Sequence, residues 1–325
     1  MQLPRLFARQ HKHLDRIYES GSIAVVTALA FIPISLMLAI VIDAGRSWVG
    51  LERLQNGIEA AAVASAQTWI LGGSGCETTA LSLASQDGAH PTGLTCTTSG
   101  NAARGVTQVA ASEEIRPLFA RLLGRDVVRV HAKTGVKIGP VSGVAGLRPF
   151  SLCADNPDIN NWVQGGMHSG VTAFITFQAS TVLCGGNVSG NWAILDYNGG
   201  SNSTSETQGW INDGYGSTVK VGDIVSGNPG IPSASLSLDS LVGKELIVPM
   251  FREPKSTGSN ANYKIVGFAK VFLISVKTSG SASQRGFSIR FEQGALSGEV
   301  GSGTGYAFGL STWSICSVDS YGNCS

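Results

Sequence analysis

Three histidines, His90, His131 and His168, and five scattered aspartates, Asp155, Asp158, Asp196, Asp213 and Asp223, are the side chains best suited to proton transfer or metal binding. General acid–base work, or a Ser–His–Asp set, needs such groups gathered around a nucleophile. Their spacing matches none of the local signatures of that chemistry. There is no G-x-S-x-G elbow, no H-E-x-x-H, no phosphate-binding loop and no G-x-G-x-x-G turn after a strand. Asp196 in LDYNGG and Asp213 in NDGYG could join turn carbonyls around calcium, but Asx-turns are the expected role. His131 alternates with Val130 and Ala132 and is expected on the wet face of a strand. Asn187 and Asn202 stand in N-x-[ST] sequons. Trp162, Trp192, Trp210 and Trp313 are expected as core or domain contacts.

The cysteines are more informative. Cys76, Cys96, Cys153, Cys184, Cys316 and Cys324 form no C-x-x-C and lie at no zinc-ligand spacing from a histidine. An even, widely spaced set fits disulfides made in an oxidising compartment. Neighbours in sequence suggest Cys76–Cys96, Cys153–Cys184 and Cys316–Cys324. All six follow an apolar stretch, and that stretch is the element that sets their compartment.

Ile23 to Ile42 carry no charge. At about 1.5 Å per residue a helix of this length crosses a hydrocarbon core of roughly 30 Å. The stretch is longer than the apolar region of a signal peptide and ends in VIDAGRSW, not in a small-residue cleavage site. It is expected to be a permanent anchor over residues 22–43, with Pro33 tolerated inside it. Asp43 and Arg46, one turn apart, mark the membrane boundary and are spaced to pair. Arg5, Arg9, Lys12 and Arg16 precede the span, while only Arg46 and Arg53 follow it closely. This bias puts the basic tail, residues 1–21, in the cytoplasm and the C-terminal region outside the inner, or cytoplasmic, membrane. A topology signal accounts for the basic residues, and the net charge of +1 gives no footprint for nucleic acid.

Beyond the span the helical period continues to residue 71 as a stem. Leu51, Leu54, Ile58, Ala61, Ala62, Ser65 and Trp69 recur at steps of three and four and share one narrow, alanine-rich face. They are the candidate helix-interface residues, for packing on the chain's own body or on neighbouring subunits. Gly57 weakens this helix by about 1 kcal/mol relative to alanine. Gly21, just before the apolar run, stands where type IV prepilins are cut. The glutamate that pattern places five residues on is Val26 here, so the match to that pattern is incomplete and leaves processing at Gly21 open.

The segment GSIAVVTALAFIPISLMLAIVIDAGRSWVGLERLQNGIEAAAVASA resembles the N-terminal part of the Tad (tight adherence, Flp pilus assembly) proteins of the TadE/TadG type. Ile42-Asp43-Ala44-Gly45-Arg46 matches their V-D-x-G-R boundary. Gln55-Asn56-Gly57-Ile58-Glu59-Ala60-Ala61-Ala62 matches their Q-N-A-x-D-A-A-A-like helix, with Gly57 for alanine and Glu59 for aspartate. GVTQVAASEEIRPLFARLLGRDVVRVHAKTGVKIGP, GLRPF, GNWAILDYNGG and YKIVGFAKVFLISV resemble later parts of Tad-type chains more weakly. The resemblance implies a non-enzymatic, membrane-anchored component of a pilus assembly system, of minor-pilin, scaffold or adhesion type. Its implied partners are the membrane and other Tad-system subunits, reached through the stem. The D-x-S-x-S metal motif of a von Willebrand-type domain is not found, so metal-dependent adhesion is not carried over. No cofactor, metal, nucleic acid or small-molecule substrate is expected. The alternative is a membrane-tethered extracytoplasmic hydrolase or glycan-binding protein.

The fold class expected is α+β. After the stem comes a small strand–helix–strand unit over residues 72–147, in which SEEIRPLFARLLG forms the helix from a Ser112 cap to Gly124. Residues 148–325 then read as a β-rich, sandwich-like domain. Its strands include VTAFITFQA, NWAILDY, STVKVGDIV, ELIVPMF, YKIVGFAKVFLISVKT, GFSIRFEQG and GYAFGLSTWSIC, with one helix at SETQGWINDG.

Overall fold

The computed structural model describes residues 11–177, 184, 192–199, 203–228, 236–255, 261–297, 300, 306–319 and 323–324, with backbone alone for residues 11–22 and 282. Arg5, Arg9 and the sequon residues Asn187 and Asn202 lie outside them. Helix α1 (His11–Ile70) is unbroken and contains both the apolar stretch and the stem, with Pro33 inside it. Its C-terminus gives way at Gly72, in the left-handed region.

Helix α2 (Cys76–Gln86) folds back onto the stem. This helix was not expected, because its serines and threonines carry little helical signal. Its two fully buried alanines, Ala80 and Ala84, share one cluster with the stem alanines. Close contact between small side chains, rather than local propensity, holds this helix in place.

Strands β1 (Gly93–Asn101) and β2 (Arg104–Ile115) form a hairpin, and β2 pairs antiparallel with β3 (Val128–Pro140). This corrects the expected Ser112–Gly124 helix. Ser112 instead faces His131 in the β2–β3 ladder, and Ile115 faces Val128. Pro117 explains the outcome: five residues beyond a Ser112 cap it would sit in a helix interior, at a cost of about 3 kcal/mol. What remains is a single 3-10 turn over Ala120–Leu123 at the tip of the β2–β3 loop, closed by Gly124 in the left-handed region. The strand–helix–strand unit is therefore a hairpin with a turned tip. It does not close within residues 72–147 either, since β13 (Gly294–Ser297) and β14 (Leu310–Cys316) complete its sheet in the order β1-β2-β3-β14-β13.

The remaining strands build the β-rich region. They are β5 (Phe150–Cys153), β6 (Thr172–Thr176), β7 (Trp192–Asp196), β9 (Ile224–Asn228), β10 (Glu245–Lys255), β11 (Ala261–Lys277) and β12 (Gly286–Glu292). Their order is β10-β5-β7-β9-β11-β12-β6, and β10 also pairs with β11. Five strands thus curl into a closed circuit, and β12 and β6 extend from the far half of β11. Both faces of this one sheet are buried. On β7, Trp192 and Ile194 join one cluster with Phe177 and Phe287, while Ala193 and Leu195 join another with Tyr263. A short pair, β4 (Gly143–Val144) with β8 (Val219–Lys220), joins the loops beside it. Helix α4 (Thr204–Asp213) falls where SETQGWINDG was expected, capped by the Ser203 side chain. Helix α3 (Pro157–Gln164), capped by Asn156, was not expected.

Candidate functional site

Among the described residues, little of the chain covers the apolar stretch of α1. From Ile23 to Val41 its large apolar side chains are half or more exposed on every side, as at Phe31 and Met37. A monomeric protein in water does not keep so long an apolar cylinder uncovered. The stretch is continuous α-helix, which pairs backbone groups within itself as lipid requires. The helix is long and apolar enough to cross a membrane.

Asp43 ends this stretch, and its environment differs from the pairing expected with Arg46. No direct ion pair joins the two among the described residues. The carboxylate instead accepts three backbone hydrogen bonds from the β2–β3 loop: from Leu118 N–H (2.7 Å), Phe119 N–H (3.0 Å) and Ala120 N–H (2.7 Å). The reason is local. These amides open the 3-10 turn, and the first N–H groups of a helical turn have no partner within it. A carboxylate accepts several amides at once and satisfies them as a cap, here from a residue some 75 positions earlier. Arg46 remains exposed. Gly50, one to two turns on, lets Ile115 at the end of β2 press against the helix, where a Cβ would collide with that side chain.

Below this clamp, a groove of about 520 Å³ separates α1 from the loop tip. Leu36, Ala39, Ile40 and Ala44 line one wall, and Pro117, Phe119, Leu122 and Leu123 line the other. Phe119 and Leu122, spaced for one face of the expected Ser112–Gly124 helix, stand in this loop instead because Pro117 blocks that helix.

The stem face is occupied. Leu54, Ile58, Ala61, Ala62 and Ser65 are buried, and Leu51 and Trp69 partly so, against Ala80 and Ala84 of α2 and Val109, Ala132, Val136 and Ile138 of the smaller sheet. Ser65 Oγ also donates to the Cys76 carbonyl at the start of α2 (3.2 Å). The face considered for neighbouring subunits is thus turned onto the chain's own body, because alanines let α2 and the sheet approach closely. Glu59, on the flank, accepts from the Gln55 amide (2.6 Å). Trp48, Val49, Glu52, Arg53 and Asn56 stay exposed along the other side.

The cysteines stand in the three pairs suggested by sequence order, Cys76–Cys96, Cys153–Cys184 and Cys316–Cys324, with Cα separations of 5.7, 5.7 and 5.4 Å. The first ties α2 to β1, the second ties β5 to the loop before β7, and the third closes the segment after β14. His90, His131 and His168 are all exposed. No described hydrogen bond joins a ring of theirs to a serine or carboxylate, and no cluster of metal-binding side chains occurs among the described residues. Asp196 accepts from Gly199 N–H, three residues on (3.2 Å), a local turn contact, and Asp213 ends α4. Trp162 and Trp192 are buried in the core, and Trp210 and Trp313 are partly buried. Tyr197 stacks on Tyr215, meets Trp210 edge-on and donates to the Arg148 carbonyl (2.6 Å). Burial pushes its phenol pKa up, so it stays a neutral donor.

These features define a class: an apolar helix able to span a bilayer, continued as a stem into a disulfide-paired α+β body. Residues 21–68 match the family model described as putative Flp pilus-assembly TadE/G-like. The matched residues hold the apolar stretch, the Asp43 boundary and the buried alanine face of the stem. No curated protein and no solved structure matches the chain.

Proposed function

We propose that this protein is a non-enzymatic, single-pass membrane component of a Tad/Flp-type pilus assembly system, acting as a minor-pilin-like, scaffold or adhesion subunit. The observation that carries the reading is the family match over residues 21–68, which falls on the segment that is both apolar and exposed. The basic N-terminal flank supports a cytoplasmic tail, and the cysteine pairs support a body outside the cytoplasmic membrane.

Contact with other subunits runs through the surfaces the fold leaves open. On the stem these are Trp48, Val49 and Asn56, which lie outside the buried Ile58 face. A photo-crosslinking residue at Trp48 or Asn56, in cells that express the full system, is expected to trap a pilus subunit. Absence of any such adduct from both positions, with the chain correctly inserted, would overturn the assignment.

A further inference from the structure

We propose that the tip of the β2–β3 loop is a second membrane contact, which inserts Leu122 and Leu123 into the outer leaflet beside α1. The inference rests on the reading that residues 23–42 span the bilayer.

Four observations carry it. Leu122 and Leu123 are 83% and 78% exposed, and Leu118, Phe119 and Val127 around them are exposed as well. Among the described residues nothing covers this cluster, and in water it would be an unfavourable patch. Second, its position is set by the Asp43 clamp, which holds the loop at the end of the apolar stretch. Third, the tip points back along the span. Leu122 and Leu123 share a groove with Leu36 and Ile40, and Leu36 lies seven residues below Asp43, or roughly 10 Å along the helix axis. With the hydrocarbon boundary near Ile42, the tip sits at the depth of roughly 5–10 Å reached by interfacial apolar faces. Fourth, Arg116, Arg121 and Arg125 flank the leucines, against Asp126 as the acid in that stretch. Arg121 meets Asp126 at only 3.8 Å on an exposed surface. Apolar side chains with arginines beside them, whose long stems let the charge reach up to the headgroups, match an acyl layer beneath anionic headgroups. The occupant is therefore lipid, continuous with the lipid around α1, and the groove takes acyl chain.

The test uses the full, oxidised chain with its native cysteines paired. An environment-sensitive NBD fluorophore is attached at Leu122→Cys or, separately, at Ile34→Cys in mid-span. The protein is reconstituted in vesicles of phosphatidylcholine and phosphatidylglycerol, with or without acyl chains brominated near the glycerol end. Both probes are expected to show blue-shifted emission and several-fold less quenching by aqueous iodide than free dye, and the bromines should quench the Leu122 probe. A water-like, iodide-quenched Leu122 probe beside a lipid-shielded Ile34 probe would overturn the insertion and leave the span standing. Shielding from iodide without bromine quenching would also overturn it, by showing the tip folded against protein. An Ile34 probe in water would sink the span and the insertion together. A second measurement uses the double variant Leu122→Ser with Leu123→Ser. In vesicles with the body outside, trypsin should cut it after Arg121 or Arg125 several-fold faster than the wild-type chain, and equal rates would count against insertion.

Discussion

Replacing Ile58 by alanine tests whether the stem is packed within one chain or waits for a neighbour. Ile58 is fully buried in the cluster that holds Leu54, Ala61, Ala84 and Val136. The change removes three buried carbons at about 0.8 kcal/mol each, or about 2.4 kcal/mol of transfer free energy. The walls cannot collapse freely, because α2 is tied to β1 by Cys76–Cys96. A residual cavity raises the expected loss to about 3 kcal/mol, inside the range of about 2–5 kcal/mol for such truncations. The assay is urea-dependent pulse proteolysis of the full chain in nanodiscs at a dilution that keeps it monomeric. With a slope of about 2 kcal/mol per molar urea, the midpoint should fall by about 1.5 M. Arg53→Ala, on the exposed side of the same helix, should stay within about 0.5 kcal/mol of wild type. If Ile58→Ala and Arg53→Ala gave the same midpoint, the face would be open in the free chain and the intrachain packing argument would fail.

Asp43→Ala leaves the Leu118, Phe119 and Ala120 amides without their acceptor, so trypsin should cut at Arg121 and Arg125 faster than in wild type while the β-rich core stays protected. Asp43→Asn, which keeps an acceptor oxygen but not the charge, should fall between the two. Gly57 is buried where a Cβ would lie 3.0 Å from the Ala89 Cβ and 3.3 Å from the Ala84 carbonyl oxygen. The gain of about 1 kcal/mol in helix propensity for Gly57→Ala should thus be largely offset, and Gly57→Leu should cost about 1–3 kcal/mol by overpacking, read as the same urea midpoint. Removing the Cys76–Cys96 pair with two serines frees a loop whose ends are 20 residues apart, at a cost of about 3 kcal/mol. In the chain isolated from the membrane fraction without reductant, the thiols of all three pairs should resist alkylation, and free thiols at any pair would refute that disulfide.

The sequence alone determined the features that depend on local or one-dimensional patterns. The charge-free length from Ile23 to Ile42 determined an apolar helix, because helix rise and bilayer thickness are both set by simple geometry. The three- and four-residue recurrence from Leu51 to Trp69 determined the buried face of the stem. The alternation of Val128, Val130 and Ala132 with Arg129, His131 and Lys133 determined which side of β3 is wet. Tertiary structure decided the rest, since those outcomes turn on groups distant in the chain. Ser112–Ile115 carry helix-start signals, yet a ladder with Val128–His131 and the block at Pro117 made them a strand. The weak helical signal of α2 was overridden by alanine contacts with the stem. The smaller sheet waited for β13 and β14 from near the C-terminus. The Asp43 carboxylate had Arg46 within reach along its own helix, but three amides from residues 118–120 bound it instead, because the first N–H groups of a turn have no partner within it and take the acceptor that the fold brings to them.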